Sequence, residues 1–399
     1  MPLAFYLGVL FQYHLGPDVD PAISGILLSS KVTSLDTGTL QEMWHTIQVK
    51  YARKNPSVQD AFDAAGKGMV HAFSAEFGDD FSAYLTPSEL ARNREFLQGS
   101  FGGIGASMTN RAGKLVITAV IAGTPAERAG LKADDVVVTI DGRDVTGLTV
   151  DDAVARIRGP VGTHVHLGIQ RGTVTAQYDI VRADIVSASV VSKNVAPGVL
   201  YVRIKDFGAH TADDFDRTLK DALQSGDNSI ILDLRENPGG YVSAADAVVS
   251  EFVSSGVSVS VVDRDGHSDN HMVSGKGLAF TQKLVVLVDG QSASAAEITA
   301  GALQDHHRAR LVGAKTFGKG SVQEDFQLSN GGDLHLTVAH WFTPSGHSIQ
   351  KDARDPNSGG ITPEVAVMLA HPEDFFQADV IGSDPTRDAQ LQAALAALR

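Results

Sequence analysis

Apolar residues first recur at helical spacing in LQEMWHTIQVKY, residues 40–51, where Leu40, Met43, Trp44, Ile47 and Tyr51 share one face. A second amphipathic helix is expected over Val58 to Phe73, and the aromatic stripe of the first reads as core packing. Near Gly99 the pattern changes. Glycine-rich GSFGGIGA leads into the strand-like runs LVITAVI and DVVVTIDG, a helical piece from Thr149 to Ile157, and THVHLGIQRG. Short strands with one or two small helices over roughly 85 residues predict a compact β-rich module. After Asp184 strands and helices alternate: GVLYVRI, then TADDFDRTLKDAL; SIILDLR, then AADAVVSEFV; LVVLVD, then SAAEITAGALQ. That rhythm predicts crossover units and a mostly parallel sheet, with ligands at the carboxyl ends of its strands. The final DAQLQAALAALR reads as a surface helix.

Composition narrows the choice of partners. The chain has 399 residues, 43% hydrophobic and 20% charged, which suits two or three soluble domains. A net charge of −14 argues against nucleic acid, whose phosphates require a Lys/Arg surplus. With no cysteine, disulfides and thiolate chemistry are excluded. Among 14 histidines the one tight cluster is Asp305-His306-His307, and it lacks the i, i+4 spacing of a helical zinc site, so no metal is expected. No apolar run approaches the length of a membrane span. The opening MPLAFYLGVLFQYHLG fits an export signal or a packing helix equally, because the first Lys or Arg is Lys31.

Two loops fall where the sheet should present its carboxyl edge. ENPGG, Glu236 to Gly240, follows a buried strand; its glycines form either a plain tight turn or a backbone surface open to a ligand. DGQSASAAE, Asp289 to Glu297, opens a helix. Ser294 is there either an N-cap completed by Glu297 or a nucleophile whose oxyanion meets free helix N–H groups, and spacing alone suits the cap better. A third segment, GAKTFGKGSVQ, nearly matches a nucleotide phosphate loop. Gly320 stands in place of the Ser/Thr that would hold magnesium, and the segment follows an Ala-rich helix instead of opening one. SIQK at Ser348 to Lys351 and SDN at Ser268 to Asn270 occur in the wrong order for penicillin-recognising enzymes, and no K-T-G follows.

DDFSAYLTPSEL, GSFGGIGA, LDLRENPGGY, GQSASAAEITAGALQD, LVGAKTFGKGSVQ, FTPSGHSIQ, GITPEV and DAQLQAAL occur in this order. Together they resemble the C-terminal processing peptidases, or tail-specific proteases, over most of the chain from Leu40. The resemblance implies an α/β protease core, a crotonase-like mixed sheet with crossover helices, over residues 185–366. A PDZ domain would occupy 99–184, with helical regions at 1–98 and 367–399. By position, Ser294 matches the nucleophile, Lys319 the general base 25 residues on, and Gln323 the residue orienting that lysine. Backbone N–H groups of Gly239 or Gly240 and of Ala295 match the oxyanion hole, and Asp305 a supporting position. In the PDZ module Gly103, Ile104, Gly105 and Ala106 match the loop that holds a peptide's terminal carboxylate. Arg158 would lie nearby. The implied partners are protein substrates with exposed C-termini and a second copy of the chain. No cofactor is implied, and the implied location is outside the cytoplasm. His340, Trp341 and His347 depart from the family's usual Arg, Tyr and basic residue.

The lysine also has a physical case. A free lysine has a pKa near 10.4, so neutrality at pH 7 costs roughly 4–5 kcal/mol in water. A lysine base therefore needs a dry site with few carboxylates. No acid lies within three residues of Lys319, its flanking glycines allow a tight inward turn, and Gln323 can accept a hydrogen bond without adding charge. The alternative from another class is a non-catalytic peptide-binding scaffold on the same fold.

Overall fold

The computed structural model describes residues 37–51, 57–186, 188–352, 355, 358–371, 374–378 and 383–399; the apolar stretch opening the chain lies outside them. Strands Val199–Ile204, Ser229–Asp233, Lys283–Val288 and Arg310–Gly313 lie side by side in parallel. Val365–Ala366 extends the sheet in parallel at one edge, and Val190–Ala196 closes the other edge antiparallel. Their near-continuous apolar sequences reflect burial on both faces. Val202, Ile204, Ile230, Leu232, Val286 and Val288 pack against helices Thr211–Gln224, Val242–Ser250 and Ala295–Asp305. The alternate residues Tyr201, Ile231, Val285 and Leu287 pack against Phe376 and the helix Ala389–Ala397. That last helix therefore does more than decorate the surface. Leu391, Ala394 and Leu398 cover the second face of the sheet, and Asp388 and Gln390 accept hydrogen bonds from the buried Arg235 guanidinium.

A second, antiparallel sheet had no clear signal in the sequence. It runs Ala83–Leu85, Asp333–Phe342, Val257–Asp263, Ser268–Met272, with Ser321–Gln327 on the other side of Asp333–Phe342. Val259, Val322 and Trp341 join it to the main core. The β-rich module has its own core of Leu115, Ile117, Val137, Val165 and Leu167. It stands on a two-stranded ribbon, Ser100–Gly103 paired with Ala183–Val186. Its helix Val150–Ile157 starts at Thr149, whose side chain accepts the Asp152 N–H.

One expectation fails. The helix Thr37–Lys50 buries none of its residues, and Leu40, Met43 and Ile47 are 48%, 56% and 42% exposed. Its stripe does not pack into a core, because no described element covers that face. The helix Val58–Phe77 likewise leaves Met69, Phe73 and Phe77 on the surface.

Candidate active site

Ser294 sits where the strand Lys283–Val288 turns into the helix Ala295–Asp305. The turn is fixed by Asp289, whose Oδ1 accepts the N–H groups of Glu236, Gln291 and Ser292, and by Ser292 Oγ, which donates to the Leu234 carbonyl at 2.8 Å. These bonds tie both candidate loops together. Ser294 has φ 55° and ψ −118°, an unfavourable conformation that costs on the order of 1–3 kcal/mol. It is fully buried, and its Oγ has no hydrogen-bond partner. The hydroxyl has the placement of a capping box towards the Glu297 N–H but makes no hydrogen bond there, while in the reciprocal half Ser294 N–H donates to Glu297 Oε2 at 2.9 Å.

Glu297 also holds the lysine loop. Its carboxylate accepts the Gly318 N–H at 2.7 Å, the Lys319 N–H at 2.9 Å and the Thr316 hydroxyl. One carboxylate thus joins the backbone of Ser294 to that of Lys319. Burial raises the Glu297 pKa, opposed by these four hydrogen bonds. Lys319 itself is 3% exposed, with Nζ 4.6 Å from the centre of the Phe81 ring. Burial lowers its pKa to about 7, against the pull of Glu297 and Asp79 in the other direction. Trp341, where the family usually has Tyr, is useful here. Its indole N–H donates to the Lys319 carbonyl at 2.9 Å. Gln323 Nε2 donates to Ser321 Oγ at 2.8 Å and Thr337 Oγ1 at 2.9 Å, leaving its buried Oε1 with no partner.

The ENPGG turn lies against the serine. A Cβ on Gly239 would come within 2.7 Å of Ser294 Cβ and 3.0 Å of Ala295 N, and one on Gly240 within 2.3 Å of the Phe207 carbonyl oxygen. The positive φ values of both, 103° and 142°, add to the need for glycine. Asn237 Oδ1 accepts the Gly239 N–H at 2.8 Å, so that donor is committed. Among the described residues, the N–H groups of Gly240 and Ala295 have no acceptor. Of the expected oxyanion donors, these two remain available.

Asp305 lies at the far end of the serine helix, where it accepts the Ser345 N–H at 2.8 Å; its neighbour His306 bonds the Val257 carbonyl instead. In the β-rich module Gly105 has φ 80° and lies against Thr124, Ile104 is buried, and Ala106 opens the edge strand Ala106–Arg111. Arg158 stacks its guanidinium on the ring of Phe101 at 3.8 Å, and the next residue, Gly159, donates its N–H to the Gly102 carbonyl, so Arg158 lies beside the start of this loop.

A PDZ-bearing serine peptidase is the class that this fold and site define. The profile of peptidase family S41 matches residues 198–367 and that of the PDZ domain residues 116–171. A carboxy-terminal-processing protease of Bartonella bacilliformis is 36% identical over 82% of this chain and 74% of its own length. A carboxyl-terminal-processing protease of Synechocystis is 35% identical over 79% and 75%. Among solved structures, a photosystem II D1 C-terminal processing protease covers 88% of this chain and 90% of its own, at TM-score 0.50 and 28% identity. The chain belongs to the carboxy-terminal-processing serine proteases of family S41.

In the sequence Glu297 reads only as a capping residue, and Asn237, Phe81 and Asp79 carry no signal that sets them apart. The spacing of Glu297 from Ser294 was visible, whereas its bonds to residues 316–319 depend on the fold.

Proposed function

We propose that the protein is an endopeptidase that recognises exposed C-terminal tails and cleaves with Ser294 and Lys319. The observation that carries this reading is a buried lysine with a lowered pKa, its loop joined through Glu297 to the backbone of a serine whose hydroxyl is unpaired. Ser294 Oγ attacks the scissile carbonyl as its proton passes to Lys319 Nζ, and the Gly240 and Ala295 N–H groups receive the oxyanion. The amine leaves with the proton from Lys319. Water then gives a proton to Lys319 and attacks the acyl ester, and Lys319 returns that proton to Ser294 Oγ as it leaves, freeing the acid and restoring both residues. Gln323 Oε1, which has no partner of its own, is the acceptor that would turn to the Lys319 amine and aim it. On an unstructured protein with an apolar tail, Ser294→Ala and Lys319→Ala should each lower turnover by at least about a thousandfold. Because Lys319 must be neutral, wild-type kcat/KM should rise with pH through about 7. Undiminished hydrolysis by either variant refutes the dyad; a wild type that binds tails without cleaving them is a scaffold.

The PDZ module captures the tail, the incoming chain adding as a strand beside Ala106–Arg111, and it also gates the site. Supporting the gate is a continuous path through residues 205–211. Ala209 N–H donates to the Leu97 carbonyl and Lys205 N–H to that of Ser189, on the two chains flanking the ribbon. Phe207 donates to the Gly239 carbonyl at 2.8 Å and accepts the Tyr241 N–H at 2.7 Å, bracketing the oxyanion turn. The exposed stripes of helices Thr37–Lys50 and Val58–Phe77 support assembly of two copies. We place the enzyme outside the cytoplasm, which cell fractionation would check. Among the described residues no helix is long and apolar enough to cross a membrane.

A further inference from the structure

The loop 78–82, between the helix Val58–Phe77 and the strand Ala83–Leu85, lies outside both matched profiles, yet it touches the candidate base. Phe81 places its ring over Lys319 Nζ at 4.6 Å and packs edge-on against Phe317, two residues before the lysine, with ring centres 6.5 Å apart. Asp79 is tied into the same corner. Its Oδ1 accepts the Thr337 hydroxyl at 3.0 Å, and Thr337 Oγ1 accepts the Gln323 Nε2 at 2.9 Å. Ser82 Oγ donates to Asp79 Oδ2 and accepts the Thr337 N–H at 2.9 Å, clamping the loop to the strand Asp333–Phe342. The amide of Gln323 is therefore held on its nitrogen side by Ser321 and Thr337, which leaves Oε1 as the end that can serve the lysine.

We propose that this loop completes the catalytic site with two positioning residues: Phe81 seals Lys319 from water, and Asp79 acts through Thr337 to fix the orientation of Gln323. The proposal rests on Lys319 being the base. It makes the N-terminal region part of the active site, beyond any role in assembly. The two residues act on the lysine in opposite senses. Phe81 excludes water and so disfavours the ammonium, by more than the attraction of its ring face for a cation offsets, whereas the Asp79 carboxylate favours it. Two carboxylates face Lys319 among the described residues, Asp79 from this loop and Glu297 from the serine helix, and both raise its pKa against the larger effect of burial.

The test reads Lys319 directly, by NMR titration of the intact protein carrying carbon-13 at lysine Cε. Loss of the signal in Lys319→Met identifies the resonance. Asp79→Asn should lower the Lys319 pKa by a few tenths of a unit, and Phe81→Ala should raise it by about one unit or more. Phe81→Leu, which keeps the apolar cover, should stay close to wild type. Separately, Thr337→Val should cut kcat roughly ten- to hundredfold with little change in KM, and Thr337→Ser should restore it. A general loss of structure cannot produce opposite shifts. Shifts of both variants in the same direction, or none beyond about 0.2 units, overturn the seal. An unchanged kcat in Thr337→Val overturns the orienting link. If the pKa shifts appear while Ser294→Ala still hydrolyses substrate, the microenvironment stands and the dyad reading fails.

Discussion

Lys319 shows how function is set against stability at the scale of one residue. Its ordinary pKa of about 10.4 falls to about 7 in the folded protein because burial disfavours the ammonium. Between those two values the unfolded chain holds a proton that the folded chain has released. Stability from this group therefore rises with pH through the window from about 7 to 10.4, and the full penalty is present below 7. Lys319→Met keeps the length of the side chain and removes the titration. The variant should be inactive and yet more stable, by roughly 1–3 kcal/mol below pH 7 after allowance for imperfect packing. The difference should shrink towards zero near pH 10. Denaturant melts of both proteins at pH 6 and pH 9 check this, and a gain that does not vary with pH would mean that packing, not ionisation, is responsible. Ser294 carries a second cost of the same kind, in its backbone angles.

At the scale of elements, the proposed mechanism sits on the loops between strands, and the segment 205–211 joins the chain flanking the ribbon to the ENPGG turn through backbone hydrogen bonds. Gly103 and Ala183 are register partners at the top of the ribbon, so a short turn can join them and delete the module without moving the ribbon. In this variant the contacts of Ala209 with Leu97 and of Lys205 with Ser189 are kept. The gating reading expects cleavage of tailed and tail-less substrates to converge, through a changed rate on both; retained discrimination by the shortened enzyme would disprove it. Much of this level was legible in the sequence. The parallel strands were apolar runs flanked by helices, and the serine and lysine loops carried their motifs intact. The antiparallel sheet was not legible. Asp333–Phe342 pairs with strands about 80 and 250 residues away in sequence, and period-two alternation in DLHLTVAHWF says nothing of partners. Nor was the contact of Phe81 with Lys319 visible, since it joins residues far apart through that same sheet.

At the scale of the whole molecule, the exposed apolar residues are unevenly distributed. Leu40, Met43, Ile47, Met69, Phe73 and Phe77 crowd onto two N-terminal helices, while those of the PDZ module and the protease core, such as Val161, Val174, Met272 and Met368, are spread thinly along the chain. A concentration of large apolar side chains of this kind marks a surface that is covered in use. Since the net charge of −14 works against self-association at long range, assembly through these helices needs short-range apolar contact and should tolerate added salt. The same helix Val58–Phe77 leads directly into the loop that carries Phe81 over Lys319, so assembly through this helix would be linked to the proposed catalytic site. Sedimentation velocity at tens of micromolar should give a dimer for the wild type and a monomer for Met43→Glu combined with Phe73→Glu. If the link matters, the monomer should also lose part of its kcat at unchanged helical content. A monomeric wild type would remove the assembly, and a fully active monomer would confine these helices to holding the two copies together.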